Sequence, residues 1–343
     1  MIGAGAVGGT LAARLYEAGR EVLLVARGRH LDALHERGLQ FDDPDRSRTL
    51  PLPVAALPSD IDWRYDDVVF LSTKTQDSEN VLDALRAACP EVPVICAQNG
   101  VANERFTASR FANVQSICVM LPAEHLEPGR VVAYSAPVPG ILDVGTYPQG
   151  ANELTAQIAI DLRAAGFSSR ADNAIMRWKY RKLLRNLGNA AEAACGGQDP
   201  DLITLDAMAQ SEGERCLAAA GIALVSTREE RERRGDLISL RTVGGRTRRG
   251  GSSWQSLERR TRSIEAEFLN GEIVTLGRQF GVPTPVNAML QQVAVSMARN
   301  NEPPGNRRAA DLLTVAHRAP SSTPSTYGVH CFGECGGTCH GCG

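Results

Sequence analysis

Residues 3–9 read Gly-Ala-Gly-Ala-Val-Gly-Gly and lead directly into residues 10–18, which have the pattern of a helix. This is a G-x-G-x-x-G motif: its glycines permit a tight turn, close approach of the backbone to a pyrophosphate, and close packing of helix on strand. The N-terminus of such a helix also offers N–H groups to phosphate. A glycine-rich turn without a ligand can have the same sequence. The β-branched run at residues 21–27, spaced like the second strand of a βαβ unit, favours a dinucleotide-binding loop.

The end of that second strand indicates which dinucleotide binds. An Asp or Glu there would bond the ribose 2′-hydroxyl of NAD, but this sequence has Ala26-Arg27-Gly28-Arg29 and no acid. A guanidinium suits a 2′-phosphate, because its planar fork combines charge with geometry. NADP is therefore favoured over NAD. The alternative is that Arg27 and Arg29 belong to a solvated loop.

The strand before the glycine loop is unusually short. Only Met1 and Ile2 are available for it, although this strand lies near the middle of the sheet in such folds. Its shortening would lose several buried apolar side chains, each worth about 1.5–3 kcal/mol. We expect the true start to lie upstream; a chain less stable than its relatives is the alternative.

Alternating strand and helix patterns predict an α/β architecture for residues 1–168, a Rossmann-like NADP-binding domain. Further strands are expected at residues 67–74, 93–99, 114–121, 131–135 and 140–147, and a helix at 153–165.

The pattern becomes helical after Gly166. Helices are expected at residues 172–194, 205–220, 264–280 and 286–300, which predicts an all-α substrate and catalytic domain over residues 169–302. Residues 303–343, rich in Pro, Ser, Thr, Gly and Cys, are expected to form a disordered tail.

Six polar positions are candidates for ligand contacts. Lys74 and Asn99 follow strands, at the carboxyl ends where open α/β sheets bind ligands, although turn chemistry explains them equally well. Lys182 and Asn186 lie four residues apart and so share one helix face, although a lysine on such a helix is more often solvated. Further along, Ser253 suits a helix cap or a ligand contact, and Glu265 suits a ligand contact or the surface.

Taken together, these segments resemble ketopantoate reductases, also called 2-dehydropantoate 2-reductases, over roughly residues 1–300. The resemblance is carried by the following stretches: the GAGAVGG start, the S-T-K and Q-N-G segments, K-L-L-x-N, S-S-W-Q-S, E-A-E-F-L-N-G and G-V-P-T-P-V-N.

The resemblance implies a role for each matching position. The implied catalytic residues are Lys182 and Glu265. The implied substrate-binding residues are Asn99, Asn186 and Ser253. The implied cofactor-binding residues are Gly3, Gly5, Ala6, Val7, Gly8, Arg27, Lys74 and Asn99.

The implied reaction is hydride transfer from NADPH to the ketone carbon of a 2-oxoacid, with ketopantoate as the leading substrate. A cation that also gives a proton is needed at the carbonyl oxygen, and Lys182 is expected to serve. Burial should lower the pKa of this lysine, and Glu265, which should anchor a substrate hydroxyl or orient the lysine, should oppose that shift.

Two departures from the family pattern stand beside the expected substrate serine. Trp254 replaces a smaller residue, and Leu257 occupies the usual aspartate position. They bear on which oxoacid is used. Lys179 is a rival for the catalytic role, but its offset of seven from Asn186 fits the pattern less well.

Composition excludes some classes of protein. A formal net charge of −2 does not suit a nucleic-acid-binding domain, and no apolar run is long enough to cross a bilayer. With no visible leader, the nine cysteines suggest a reducing cytoplasm. A homodimer is plausible.

The last thirteen residues hold four of these cysteines, at positions 331, 335, 339 and 342, with His330 and His340 beside them. These ligands would suffice for zinc or an iron–sulfur cluster, but the spacing is unusual, so no metal is predicted.

Two other functions stay open. One is a reductase of the same fold that acts on another oxoacid or on an imine. The other is a non-catalytic NADP-sensing protein.

Overall fold

The computed structural model describes residues 1–318, so the cysteine cluster of the tail lies outside the described residues. The strands are β1 (Leu24–Val25), β2 (Leu39–Asp42), β3 (Ser47–Leu50), β4 (Val54–Ala55), β5 (Val69–Leu71), β6 (Val94–Cys96), β7 (Val114–Met120), β8 (Ala123–Glu124), β9 (Arg130–Ala133), β10 (Ser135–Pro137), β11 (Ile141–Thr146) and β12 (Ile238–Leu240).

The main sheet is parallel except at one edge. Its order is β4-β1-Ile2-β5-β6-β7-β11, and only β11 runs antiparallel to its neighbour. Ile2 is fully enclosed and forms single parallel bridges with Val25 and Leu71, so the expected short central strand is reduced to one residue. Backbone bonds from Ile2 N–H to the Phe70 carbonyl and from Gly3 N–H to the Val25 carbonyl hold it in place.

A second sheet of order β3-β2-β9-β8 lies beside the first. The strand expected at residues 131–135 belongs to this second sheet and does not extend the main one, because β9 pairs in parallel with β2. Val131 of β9 packs directly on Gly9, where a Cβ would approach it to 2.7 Å. The strand therefore covers the first helix instead of joining the main sheet.

Five helices accompany these sheets: α1 (Ala6–Glu17), α2 (Gly28–Arg37), α3 (Thr75–Ala88), α4 (Ala102–Ala108) and α5 (Glu153–Ala164). The side of α5 that includes Ile158, Ala159 and Leu162 is buried and contributes to one apolar core with strands of the main sheet.

The rest of the described chain is mainly helical, and one strand, β12, pairs with β10. The helices are α6 (Ile175–Asn186), α7 (Asn189–Cys195), α8 (Leu202–Ala219), α9 (Thr227–Arg234), α10 (Ser252–Glu258), α11 (Asn270–Phe280), α12 (Pro285–Arg299) and α13 (Ala309–Arg318). The predicted combination of an α/β domain with a helical domain is confirmed.

Three local expectations need correction. The helix expected at 172–194 breaks after Asn186, where Leu187 N–H bonds the Leu184 carbonyl only three residues back. The helix expected at 264–280 opens instead as a 3-10 turn, Glu265–Glu267. Part of the expected tail, residues 309–318, forms α13, and its buried Ala309 and Leu312 join the helical core.

A buried ion pair joins the helical half to the sheet. Lys179 of α6 pairs with Glu104 of α4, and both side chains are nearly inaccessible to solvent. Lys179 Nζ also donates to the Gln98 carbonyl at 3.0 Å, and the Ser116 hydroxyl donates to Glu104 at 2.7 Å. Two charges out of water are tolerated here because each has additional hydrogen bonds.

Candidate active site

A cavity of about 920 Å³ opens between the two halves of the chain. Its walls come from the glycine loop, from the ends of β1, β5 and β6, and from α6, α10 and the Glu265 turn. This position, at the carboxyl ends of parallel strands, is where open α/β sheets bind ligands.

The glycine loop has the shape that a dinucleotide requires. Gly3 has φ +96°, in the left-handed region that favours glycine, and a Cβ there would lie 2.7 Å from the Thr73 nitrogen. A Cβ on Gly8 would lie 1.9 Å from the Gly3 carbonyl oxygen, so this glycine lets α1 pack on the loop. Gly5 has open space around its Cβ position and lines the cavity.

The N-terminus of α1 is free to receive an anion. Gly5 is its N-cap, with no side-chain cap and no acidic residue in the first turn. Gly3, Gly5, Ala6 and Val7 line the cavity, whereas Gly8 packs behind it. Backbone N–H groups at a helix start fit a pyrophosphate, and these residues therefore fit the predicted cofactor.

Arg27 lies at the edge of the cavity, at the N-cap of α2. Its side chain is 79% exposed and forms an ion pair with Asp77 of α3 at 2.8 Å. The neighbouring Arg29 is exposed and does not line the cavity. An arginine and a carboxylate therefore stand together where the ribose of a dinucleotide would lie.

Glu265 is bound to the sheet side of the cavity. Its carboxylate accepts from Lys74 Nζ at 2.6 Å and from the backbone N–H and hydroxyl of Thr75, at 3.2 and 3.1 Å. The expectation that Glu265 is the anion that opposes the pKa shift of Lys182 is wrong, because Lys74 and Thr75 hold its carboxylate. Sequence spacing could not reveal this pair, since its members are 191 residues apart.

Asn99 and Asn186 meet across the cavity. Asn186 Nδ2 donates to Asn99 Oδ1 at 3.3 Å, which joins the loop after β6 to α6. Asn186 is buried, and both residues line the cavity. The two predicted substrate contacts are thus brought together.

Lys182 lines the cavity one helical turn before Asn186. Desolvation by burial lowers the pKa of its ammonium below the ordinary value of 10.5, and the charges of Arg248 and Arg234 lower it further. Cys118 and Glu230 act in the opposite direction. The expected direction of the shift is confirmed, and Glu230 takes the opposing role that was expected of Glu265.

The rival lysine occupies a different place. Lys179 is 3% exposed, is paired with Glu104 and is not part of the cavity wall. Of the two lysines, Lys182 is therefore the one that can reach a ligand.

The expected serine and its neighbour lie at different depths. Ser253 is buried behind the cavity wall, whereas Ser252, the first residue of α10, lines the cavity. The hydroxyls of Ser252 and Ser253 are both buried, and neither has a hydrogen-bond partner among the described residues. The substrate-binding role expected of Ser253 therefore stays a prediction, and Trp254 beside it does not line the cavity.

Two histidines in the wall were missed. Their rings lie 4.3 Å apart. His30 Nε2 bonds the Ala4 carbonyl and its Nδ1 accepts from Gly129 N–H, both at 2.8 Å, so the ring is neutral. Burial lowers the pKa of His30 and lowers that of His125 to about 3. No motif distinguished these single histidines in the sequence.

Within residues 1–318, no group of three or more His, Cys, Asp and Glu side chains is arranged to hold a metal ion. No helix there has the length and apolar character needed to span a membrane.

Family comparisons match both halves of the chain. The family described as ketopantoate reductase PanE/ApbA matches residues 1–149, and its C-terminal counterpart matches residues 174–297. The chain belongs to the ketopantoate reductase family. The resemblance that the sequence motifs indicated is confirmed, and the chain is accordingly an oxidoreductase of this type.

Individual relatives agree. The 2-dehydropantoate 2-reductase of Archaeoglobus fulgidus is 30% identical, over 84% of this chain and 94% of its own length. That of Pyrococcus horikoshii is 25% identical over the same shares. A ketopantoate reductase structure from Ralstonia eutropha superposes with a TM-score of 0.72 at 25% identity, over 88% of this chain and 98% of that one.

A D-mandelate dehydrogenase solved with NADH and anilino(oxo)acetate has the same fold. Its TM-score is 0.73 at 22% identity, and the match covers 88% of this chain and 98% of that chain.

The two glycines of the loop should respond differently to substitution. Gly5→Ala adds a methyl group where the cavity is open, so we expect NADPH affinity to fall by at least roughly tenfold, because the pyrophosphate loses its close approach to the backbone. The melting temperature should change by no more than about 2 °C, because no protein atom lies within 4 Å.

Gly8→Ala is the matched comparison. Its Cβ meets the Gly3 carbonyl, so this variant should unfold at a clearly lower temperature. Fluorescence titration with NADPH and thermal unfolding measure the two effects. Unchanged NADPH binding by a folded Gly5→Ala protein would contradict the placement of the cofactor.

Proposed function

We propose that the chain is an NADPH-dependent 2-oxoacid reductase whose preferred substrate is 2-dehydropantoate, which it reduces to pantoate. The observation that carries the proposal is the position of Lys182: a lysine of lowered pKa, in a cavity that also contains a glycine-rich dinucleotide loop. Family membership and the names of the relatives support the substrate.

In this proposal the substrate carbonyl lies between Lys182 and the bound cofactor. NADPH, when bound, supplies the hydride that the carbonyl carbon accepts. Lys182 Nζ donates a hydrogen bond to the carbonyl oxygen and then transfers its proton as negative charge develops there. The lowered pKa of Lys182 makes this proton easier to give.

The other residues position the reactants. Asn186 and Asn99 offer amides at the same end of the cavity and would bond the carbonyl or hydroxyl groups of the substrate. Ser252 lines the cavity next to Ser253, and we place the substrate-binding hydroxyl that the family pattern assigns to Ser253 at this pair. Glu265 fixes Lys74 and is a candidate acceptor for a substrate hydroxyl.

Cofactor choice rests on Arg27. The 2′-phosphate of bound NADP would replace Asp77 as the ion-pair partner of the Arg27 guanidinium. The free thiols among residues 1–318 support a reducing compartment, and we propose the cytoplasm.

The choice of cofactor can be tested with two neighbouring arginines. Arg27→Ala should raise the dissociation constant of NADPH roughly 10–100-fold, since a charge-assisted pair with the 2′-phosphate is lost, and should leave that of NADH within about threefold. Arg29→Ala, on the same loop but outside the cavity, is the control and should leave both constants unchanged. Equal losses for NADPH and NADH in Arg27→Ala would exclude recognition of the 2′-phosphate.

Turnover can be tested with Lys182. Wild-type protein should oxidise NADPH in the presence of 2-dehydropantoate faster than with other 2-oxoacids or imines, followed by absorbance. Lys182→Ala should lower kcat by roughly 10²–10⁴-fold, because the proton donor is missing, while NADPH affinity stays within about threefold. Full activity in Lys182→Ala would disprove the assignment. Tight NADPH binding without turnover of any substrate by the wild type would indicate the sensor instead.

The pH profile gives a second readout of the same residue. Lys182 must be protonated to act, so kcat/KM should fall as pH rises through its pKa, which lies below 10.5. The residual activity of Lys182→Arg should lack this alkaline fall, because a guanidinium stays protonated.

A further inference from the structure

The cavity wall contains more positive than negative side chains. Seven cationic and four anionic residues line it. Three of the four anions are paired with cations of the same wall: Glu265 with Lys74, Asp77 with Arg27, and Glu230 with Arg185. The fourth, Glu192, accepts the Gly251 N–H. Four cations have no ion-pair partner within residues 1–318: Lys182, Arg234, Arg248 and Arg259.

These four cations lie at two ends of the cavity. The charge of Arg259 lowers the pKa of His30 and of His125, so Arg259 lies near these two rings. His30 donates to the Ala4 carbonyl of the glycine loop, and we therefore assign Arg259 to the cofactor end. The charges of Arg234 and Arg248 lower the pKa of Lys182 instead. We therefore assign these two arginines to the end where the carbonyl would be reduced.

Of Arg234 and Arg248, it is Arg248 whose guanidinium has a buried nitrogen without a partner among the surrounding described residues. Its guanidinium has no ion-pair partner among residues 1–318, and its buried Nε, like the hydroxyls of Ser252 and Ser253, has no hydrogen-bond partner there. A cation held in a cavity wall without a counter-ion favours an anionic ligand, which the terminal N–H groups of the guanidinium could bind. Arg234 is exposed at the C-terminus of α9, where the helix dipole already favours a cation.

We propose that Arg248, with Ser252 beside it, binds the carboxylate of the 2-oxoacid. A guanidinium offers two parallel N–H groups to the two carboxylate oxygens and thereby fixes the orientation of the molecule as well as its charge. In a 2-oxoacid the carboxylate carbon is bonded to the reacting carbonyl carbon. The anion site must therefore lie near the proton donor, and Arg248 lines the same cavity as Lys182 and is near enough to lower its pKa. This inference rests on the proposed reductase function and adds a specificity-determining residue to it.

The next residue along the chain is a matched control. Arg249 is exposed, is not part of the cavity wall, and has partners of its own in Glu124 and Glu258, at 3.5 and 3.4 Å. Its guanidinium also lies 5.4 Å from the centre of the Trp254 ring. Replacement of Arg249 removes the same charge from the same loop without altering the proposed carboxylate site.

Steady-state kinetics with 2-dehydropantoate test the proposal. Arg248→Gln should raise KM for the oxoacid roughly 10–100-fold with a smaller effect on KM for NADPH, because a charge-assisted bidentate contact is lost. Arg248→Lys keeps the charge but not the fork, and should lie between Arg248→Gln and wild type. Arg249→Gln should match wild type. The preference for the oxoacid over its uncharged amide should shrink only in the Arg248 variants. An unchanged preference in Arg248→Gln would overturn the assignment.

A binding measurement separates this proposal from the proposed reaction. Oxalate carries the carboxylates but has no ketone to reduce, so it can be titrated against the protein saturated with NADPH, by calorimetry. Arg248→Gln should weaken oxalate binding at least roughly tenfold relative to wild type and to Arg249→Gln. Equal binding by all three proteins would contradict the role of Arg248, whatever their turnover. If the wild type binds oxalate but reduces none of the oxoacids, the result would count against the proposed function alone.

Discussion

A buried ion pair between a lysine and a glutamate determines how the two halves of this protein pack together. Lys179 of α6 reaches Glu104 of α4 and the carbonyl of Gln98, immediately before Asn99. To break a buried pair of this kind typically costs about 3–5 kcal/mol, since one charge is then left without a partner. Because Lys182 follows one helical turn later and Asn186 one turn after that, the same contact determines which face of α6 meets the loop after β6. The cavity and the Asn99–Asn186 contact depend on that choice of face.

The electrostatics of the proposed active site depend on which charged side chains have an ion-pair partner and which do not. Glu265 is neutralised by Lys74 on the sheet side, which leaves Lys182 without a carboxylate partner in the part of the chain that the structure describes. Desolvation and nearby arginines then make the ammonium of Lys182 a better proton donor. An acid in direct contact with Lys182 would have the reverse effect, so the placement of Glu265 away from it is part of the design that the proposed reaction needs.

Local patterns predicted much of this architecture. The glycine loop, the alternation of strands and helices, and the K-L-L-x-N spacing each depend on neighbours in sequence, and the elements that they predicted are present within a few residues. Contacts between distant segments were beyond such patterns. The partner of Glu265, the pairing of β9 with β2 and the burial of α13 all depend on how separate segments pack. Nor could the pattern show that Ser252, and not Ser253, lines the cavity.

The most direct test of the account is a crystal structure of the protein with NADP⁺ and a 2-oxoacid bound together. The account predicts that Lys182 Nζ lies within roughly 2.6–3.2 Å of the ketone oxygen. The pyrophosphate should rest on the N-terminus of α1. A ketone oxygen bonded by a different residue, with Lys182 turned away from the substrate, would contradict the central claim.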